Sequence, residues 1–106
     1  MIEKYRNVIQ KIEAAIRKTE EQGRQHYNIS LPNAEIDYSL RGRCAAQARV
    51  DRNGQTFLRI NLQLLSENFN DYLKQTVPHE IAHLIVNWQA RKQRRRPPPH
   101  GSEWQN

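Results

Sequence analysis

The sequence predicts an α+β domain, and three observations carry that expectation. Apolar residues recur every three or four positions near the N-terminus and again over residues 73–88, which is helical periodicity. Between those stretches the chain alternates apolar with polar residues in runs of strand length. Asn53-Gly54 joins two of the runs and is a favoured hairpin dipeptide.

Residues from about Glu3 to Gln25 read as an amphipathic helix. Tyr5, Val8, Ile9, Ile12, Ala15 and Ile16 fall on one face, and Gly23 with the polar residues after it brings the helix to an end. The stripe is short for a heptad seam, so it is expected to pack against its own domain. Leu31-Pro32-Asn33 breaks the chain, and Ala34 to Leu40 alternates like a strand. Cys44 to Asp51 and Thr56 to Asn61 form a hairpin closed through Asp51-Arg52-Asn53-Gly54. A type I′ turn is expected there, since Asn and Gly both tolerate positive φ.

Cys44, Ala45, Ala46 and Ala48 are small enough for the close approach of a helix or a substrate backbone, and Cys44 is expected to be buried in its strand. Leu62 to Glu67 reads as a short helical turn. Asp71 to about Gln89 reads as a long helix, with Asn70 or Asp71 as its N-cap. Pro78 removes one backbone hydrogen bond inside that helix, so a kink is expected just before His79, unless the helix begins at Pro78. Leu73, Val77, Ile81, Leu84, Ile85 and Trp88 make its buried face, and Trp88 and Trp104 are expected as core anchors.

At 106 residues and 37% hydrophobic composition, the chain suits one domain with a modest core and a largely polar surface. No apolar run approaches the roughly 20 residues of a membrane span. Met1-Ile-Glu-Lys-Tyr-Arg6 lacks the apolar region of a signal peptide. A single cysteine excludes an internal disulfide and fits a reducing compartment. The expectation is a cytoplasmic, monomeric protein with no membrane partner.

The chemistry is concentrated in Thr76-Val-Pro-His79-Glu80-Ile-Ala-His83. Helix residues four apart stand one turn above each other on nearly the same face. Two imidazoles in that relation can grip one metal ion, and Glu80, about 100° round the helix, can take a proton from metal-bound water. Shuffling this composition produces the pattern in roughly 1% of trials, so chance is a poor competitor. Of the two histidines left, His100 supplies a third ligand. It lies in Pro99-His100-Gly101-Ser102-Glu103-Trp104, beyond an arginine and proline stretch.

If the helix ends near Arg91, the nine steps to His100 span up to about 30 Å, enough to turn and come back. Glu103 is the rival ligand, since His-His-Glu zinc sites also exist, though it suits a supporting role better. Three protein ligands with an open fourth position are the catalytic type of zinc site. His26 is expected to be an ordinary surface residue.

On these residues the chain resembles the SprT-like zinc metalloproteases, which include the bacterial SprT proteins and the Spartan DNA–protein crosslink proteases. The resemblance rests on Thr76-Val-Pro-His-Glu-Ile-Ala-His-Leu-Ile-Val86 and His100-Gly-Ser-Glu-Trp104. Tyr38-Ser-Leu-Arg-Gly-Arg-Cys-Ala-Ala-Gln-Ala48 and Ile60-Asn-Leu-Gln-Leu-Leu65 support it upstream. It implies a zincin-like minimal metallopeptidase fold: an N-terminal helix, a small three-stranded sheet and the HExxH helix beneath it. It also implies one Zn²⁺ held by His79, His83 and His100, with Glu80 as general base. By analogy with zincins, an extended substrate would pair with an exposed strand edge, expected at Thr56 to Asn61.

The interval from His83 to His100 is longer and richer in arginine than the family pattern, and there is no Cys-x-x-Cys pair. The expected organisation is one domain over residues 1–106, truncated at its C-terminus, with a basic, proline-rich loop at 91–99. The net charge is +6, and Arg91, Lys92, Arg94, Arg95 and Arg96 could contact DNA phosphates, although a solvated loop is the plainer use of such a run. The leading reading is a zinc endopeptidase acting on DNA-associated proteins. The runner-up is a DNA-associated zinc module with little or no protease activity.

Overall fold

In the computed structural model residues 5–95 are described, with side chains as far as Arg91. The architecture is α+β. Helix α1 (Arg6–Tyr27) precedes strands β1 (Glu35–Asp37), β2 (Ala46–Val50) and β3 (Thr56–Ile60). Helix α2 (Leu62–Glu67) comes next, then the short α3 (Phe69–Asp71), a π-helical segment (Tyr72–Thr76) and the long α4 (Val77–Arg95). None of these helices is long and apolar enough to cross a membrane.

The stripe read from α1 is buried as its spacing requires, with Ile12 and Ile16 wholly enclosed. The helix ends later than Gly23. Asn28 takes the left-handed conformation at φ 53° and returns its N–H to the Arg24 carbonyl, which closes the last turn. Gly23 is instead a close-approach residue. A Cβ there would lie 2.7 Å from Ile85 Cδ1, so the missing side chain lets α1 and α4 pack tightly.

Glu20 continues the same stripe and is fully buried. Its carboxylate accepts from the Ala34 N–H at 2.7 Å and from Arg17 Nη1 at 2.9 Å. Arg24 donates to the Leu31 carbonyl at 2.8 Å, and the Thr56 hydroxyl donates to the Pro32 carbonyl at 3.2 Å. These bonds seat the break at residues 31–34 against α1 and β3, and so set where β1 begins. Glu20→Ala is expected to destabilise the fold by about 2–4 kcal/mol, because the Ala34 N–H is left buried without an acceptor and a cavity opens beside it. Urea unfolding measures this, and a loss within about 0.5 kcal/mol of zero would contradict it.

The sheet order is β1-β3-β2, with β1 parallel and β2 antiparallel to β3. The expected three strands are present, but Thr56–Ile60 is the central one and has no free edge. Its central place is illegible in the sequence because a local hairpin does not show which of its strands a third will join. The hairpin turn also differs from a type I′ turn. Only Gly54 has positive φ there (90°), while Gly54 N–H bonds the Asp51 carbonyl at 3.0 Å. Asp51 Oδ1 accepts from the Asn53 and Gln55 N–H groups, both at 2.9 Å, which holds Asn53 out of the left-handed region and makes a longer, bulged loop.

The core lies between one sheet face and the helices. Leu58 and Ile60 from β3 meet Ile12 and Ile16 from α1 and Val77, Ile81, Leu84, Ile85 and Trp88 from α4. Leu65 and Tyr72 close the end nearest α2.

Candidate metal centre

Proline sets the local backbone of the site. Pro78 has no N–H and its ring would meet the carbonyl four residues back. The helical run does not begin at Pro78: Val77 N–H reaches back five residues to the Tyr72 carbonyl, inserting one residue into the ladder as a π-turn just ahead of the proline. Asn70 and Asp71 consequently sit inside the helical run, and the N-cap position is Asn68, without a side-chain cap bond. Beyond the π-turn α4 is regular and carries His79, Glu80 and His83.

The four-residue spacing does what helical geometry requires of it. His79 Nε2 and His83 Nε2 are 3.0 Å apart, and the two rings stand nearly perpendicular at 84° with centroids 4.5 Å apart. Both side chains are exposed, so the convergent nitrogens open to the outside. Two nitrogens bound tetrahedrally to one zinc ion at about 2.0–2.1 Å would be about 3.3 Å apart. The pair therefore fits the ion after a separation of a few tenths of an ångström. Glu80 is half-buried, and its carboxyl is held above the usual carboxylate range by burial, with His83 and His79 opposing that shift. A cleft of about 350 Å³ opens beside them, walled by Ala45 and Ala46 on one side and by Gln75, Thr76, His79 and Glu80 on the other.

Among the described residues no third histidine, cysteine, aspartate or glutamate joins the pair in a metal-holding group. His100, Glu103, Trp104 and Arg96 lie outside the described residues. Within the basic run the Arg91 side chain is engaged by the fold: Nη1 donates to the Arg52 carbonyl at 3.1 Å across the hairpin turn. On the open sheet face Arg49 lies 4.3 Å over the Phe57 ring, and Arg59 pairs with Asp37 at 3.3 Å. His26 is exposed, as expected.

Two residues of the site went unrecognised in the sequence. Asn61 is 4% exposed and accepts from Leu64 N–H at 3.2 Å, capping α2. Its amide nitrogen donates to the Gly42 carbonyl at 3.0 Å and the Cys44 carbonyl at 3.3 Å. That tether holds the loop before β2, where Cys44 is exposed and not buried as expected. Tyr72, also buried, donates its hydroxyl to the Ala45 carbonyl. The phenol is pushed up to about 12, first by burial and further by Cys44 and Glu80, against a lowering bond from the Asn61 backbone. A cap signature, Asn before an apolar run, could have exposed Asn61; nothing local marks Tyr72.

Comparison with known proteins bears on this site. The chain is 39% identical over 95 residues to Protein SprT of Pseudomonas aeruginosa (strain LESB58), covering 90% of this chain and 52% of that protein. It is 36% identical over 95 residues to Protein SprT of Serratia proteamaculans (strain 568), with the same coverages. It is 39% identical over 85 residues to Protein SprT of Pseudomonas putida (strain W619), covering 80% of this chain and 48% of that one. The chain thus spans about half the length of the curated relatives it matches. No solved structure matches it significantly. The SprT-like family model matches residues 6–106, taking in both histidine motifs, and the chain belongs to the SprT-like family.

Proposed function

We propose that this chain carries a zinc-dependent endopeptidase centre of the zincin type, acting on DNA-associated proteins. The observation that supports this best is the 3.0 Å approach of two imidazole nitrogens beside a half-buried carboxylate. His79 and His83 would hold the ion from α4, with His100 as third ligand and the fourth position left open. When bound, zinc would supply a Lewis acid that acidifies water and polarises a carbonyl.

Glu80 lies about 100° of helix beyond His79, so its carboxylate would stand beside a bound ion and not ligate it. It takes the proton of the attacking water and delivers it to the leaving amine. Burial raises the carboxyl above the usual carboxylate range, against His83 and His79, a direction that makes it a better proton acceptor.

Of the two outer strands, β2 is the one with a residue walling the cleft, and a substrate would add along its outer edge. Asn61 N–H bonds the Ala45 carbonyl and Asp51 N–H bonds the Gln55 carbonyl, which fixes the phase of the β2–β3 ladder. Alternate residues of an antiparallel strand turn their backbone groups to opposite sides. Ala46, Ala48 and Val50 therefore direct N–H and C=O away from β3, and an extended peptide can add there.

Casein cleavage that disappears on chelation and returns with one zinc equivalent is the expected result. The +6 charge favours a second reading, a DNA-associated zinc module without proteolysis. DNA affinity that falls steeply with salt, with no cleavage under any zinc loading, would establish that reading instead.

A further inference from the structure

The Ala45 carbonyl is held by two donors at once, the Asn61 backbone N–H at 3.0 Å and the Tyr72 hydroxyl. In a trans peptide the carbonyl and the following N–H point in opposite directions. An Ala45 carbonyl drawn inward therefore turns the Ala46 N–H outward, and Ala46 walls the cleft opposite His79 and Glu80. The ladder phase gives the same direction independently, since Ala46 pairs with Ile60 at a position that faces away from β3.

Tyr72 reaches this peptide because of the π-turn. It precedes His79 by seven residues, so in an unbroken α-helix it would stand almost directly over that histidine. One inserted residue turns everything before Val77 by about 100° relative to the rest of α4. Tyr72 thereby moves round to the side of Glu80, beneath the β2 edge. Asn61 secures the adjoining carbonyls of Gly42 and Cys44, so the whole approach to β2 is held from below.

We propose that Tyr72 is a positioning residue of the cleft: it orients the Ala45–Ala46 peptide so that the Ala46 N–H serves as a hydrogen-bond donor to a carbonyl of a bound extended peptide. This rests on the peptidase reading for the identity of the ligand, but its test does not require turnover. Zinc-loaded, ¹⁵N-labelled Glu80→Gln protein is titrated with an extended peptide and monitored by NMR. The Ala46 amide proton is expected to move downfield as the peptide binds.

Tyr72→Phe keeps the ring and removes only the hydroxyl. It is expected to weaken peptide binding about tenfold and to diminish the Ala46 response, while zinc content and the remaining amide spectrum stay unchanged. Asn61→Asp, which loses the amide donors but keeps the acceptor for Leu64 N–H, serves as the second variant and is expected to weaken binding in the same direction. Peptide binding that leaves Ala46 unmoved, equal affinity in Tyr72→Phe, or no peptide binding at all would overturn the proposal. Cleavage by the protein with Glu80 intact is scored separately, so an intact Ala46 response without cleavage condemns the catalytic reading and leaves this one standing.

Discussion

Glu80→Gln is expected to lower peptide cleavage by about 10²–10⁴-fold while zinc content stays that of the unaltered chain. The carboxylate and the carboxamide are close in size, so the half-buried pocket beside α4 is filled in both. What changes is proton affinity. The amide cannot accept a proton from water at neutral pH, and the loss corresponds to about 3–5 kcal/mol of transition-state stabilisation. His79 and His83 keep their helical backbone and their convergent nitrogens, so metal retention should be unaffected. Steady-state kinetics with metal analysis on the same preparation decides the point. A Glu80→Gln protein that cleaves as well as its parent removes the assigned base.

The second large effect concerns His100 and the length of α4. That helix continues to Arg95, beyond the expected end near Gln89 and beyond Arg91, from which the reach to His100 is comfortable. From His83 to Arg95 it rises about 18 Å. The five steps from Arg95 to His100 extend at most about 17 Å, so even with the length of the imidazole the returning chain would have to be almost fully extended. Ligation by His100 is therefore expected to open the last turn of α4, restoring a connection that starts near Arg91.

Both the ligand and the opening can be measured. His100→Ala is expected to weaken zinc binding by more than the roughly 10–100-fold that loss of a supporting outer residue costs, whereas Glu103→Ala should stay within that range. Zinc addition is expected to reduce helicity by about one turn, read by circular dichroism and by faster amide exchange at residues 91–95. Unchanged zinc affinity in His100→Ala would assign the third ligand elsewhere, and full protection of that last turn with zinc bound would exclude its opening.

Much of the architecture was legible because its causes are local. The α1 stripe, the hairpin strands and the buried face of α4 come from periodicity, which short-range geometry enforces. The His79–Glu80–His83 arrangement was legible for the same reason, since four residues of helix bring two side chains together whatever surrounds them. The misread features have longer-range causes. Gly23 looked like a helix stop, but Ile85 from α4 occupies the space its side chain would fill. Asn53-Gly54 looked like a type I′ turn until the Asp51 carboxylate claimed the Asn53 and Gln55 N–H groups. Cys44 looked like a buried strand residue, yet Asn61 pulls its carbonyl inward and leaves the thiol outside.

The sequence by itself determined the convergent histidine pair on one helix, the carboxylate beside it and the α+β class, because each depends on spacing along one element. Only the tertiary structure decided which strand lies at the edge, where Tyr72 points and how far α4 runs. Strand order depends on a parallel partner about twenty residues upstream of β3, and the direction of Tyr72 on a one-residue slip in the helical ladder. Neither leaves a periodic trace in the residues that carry it.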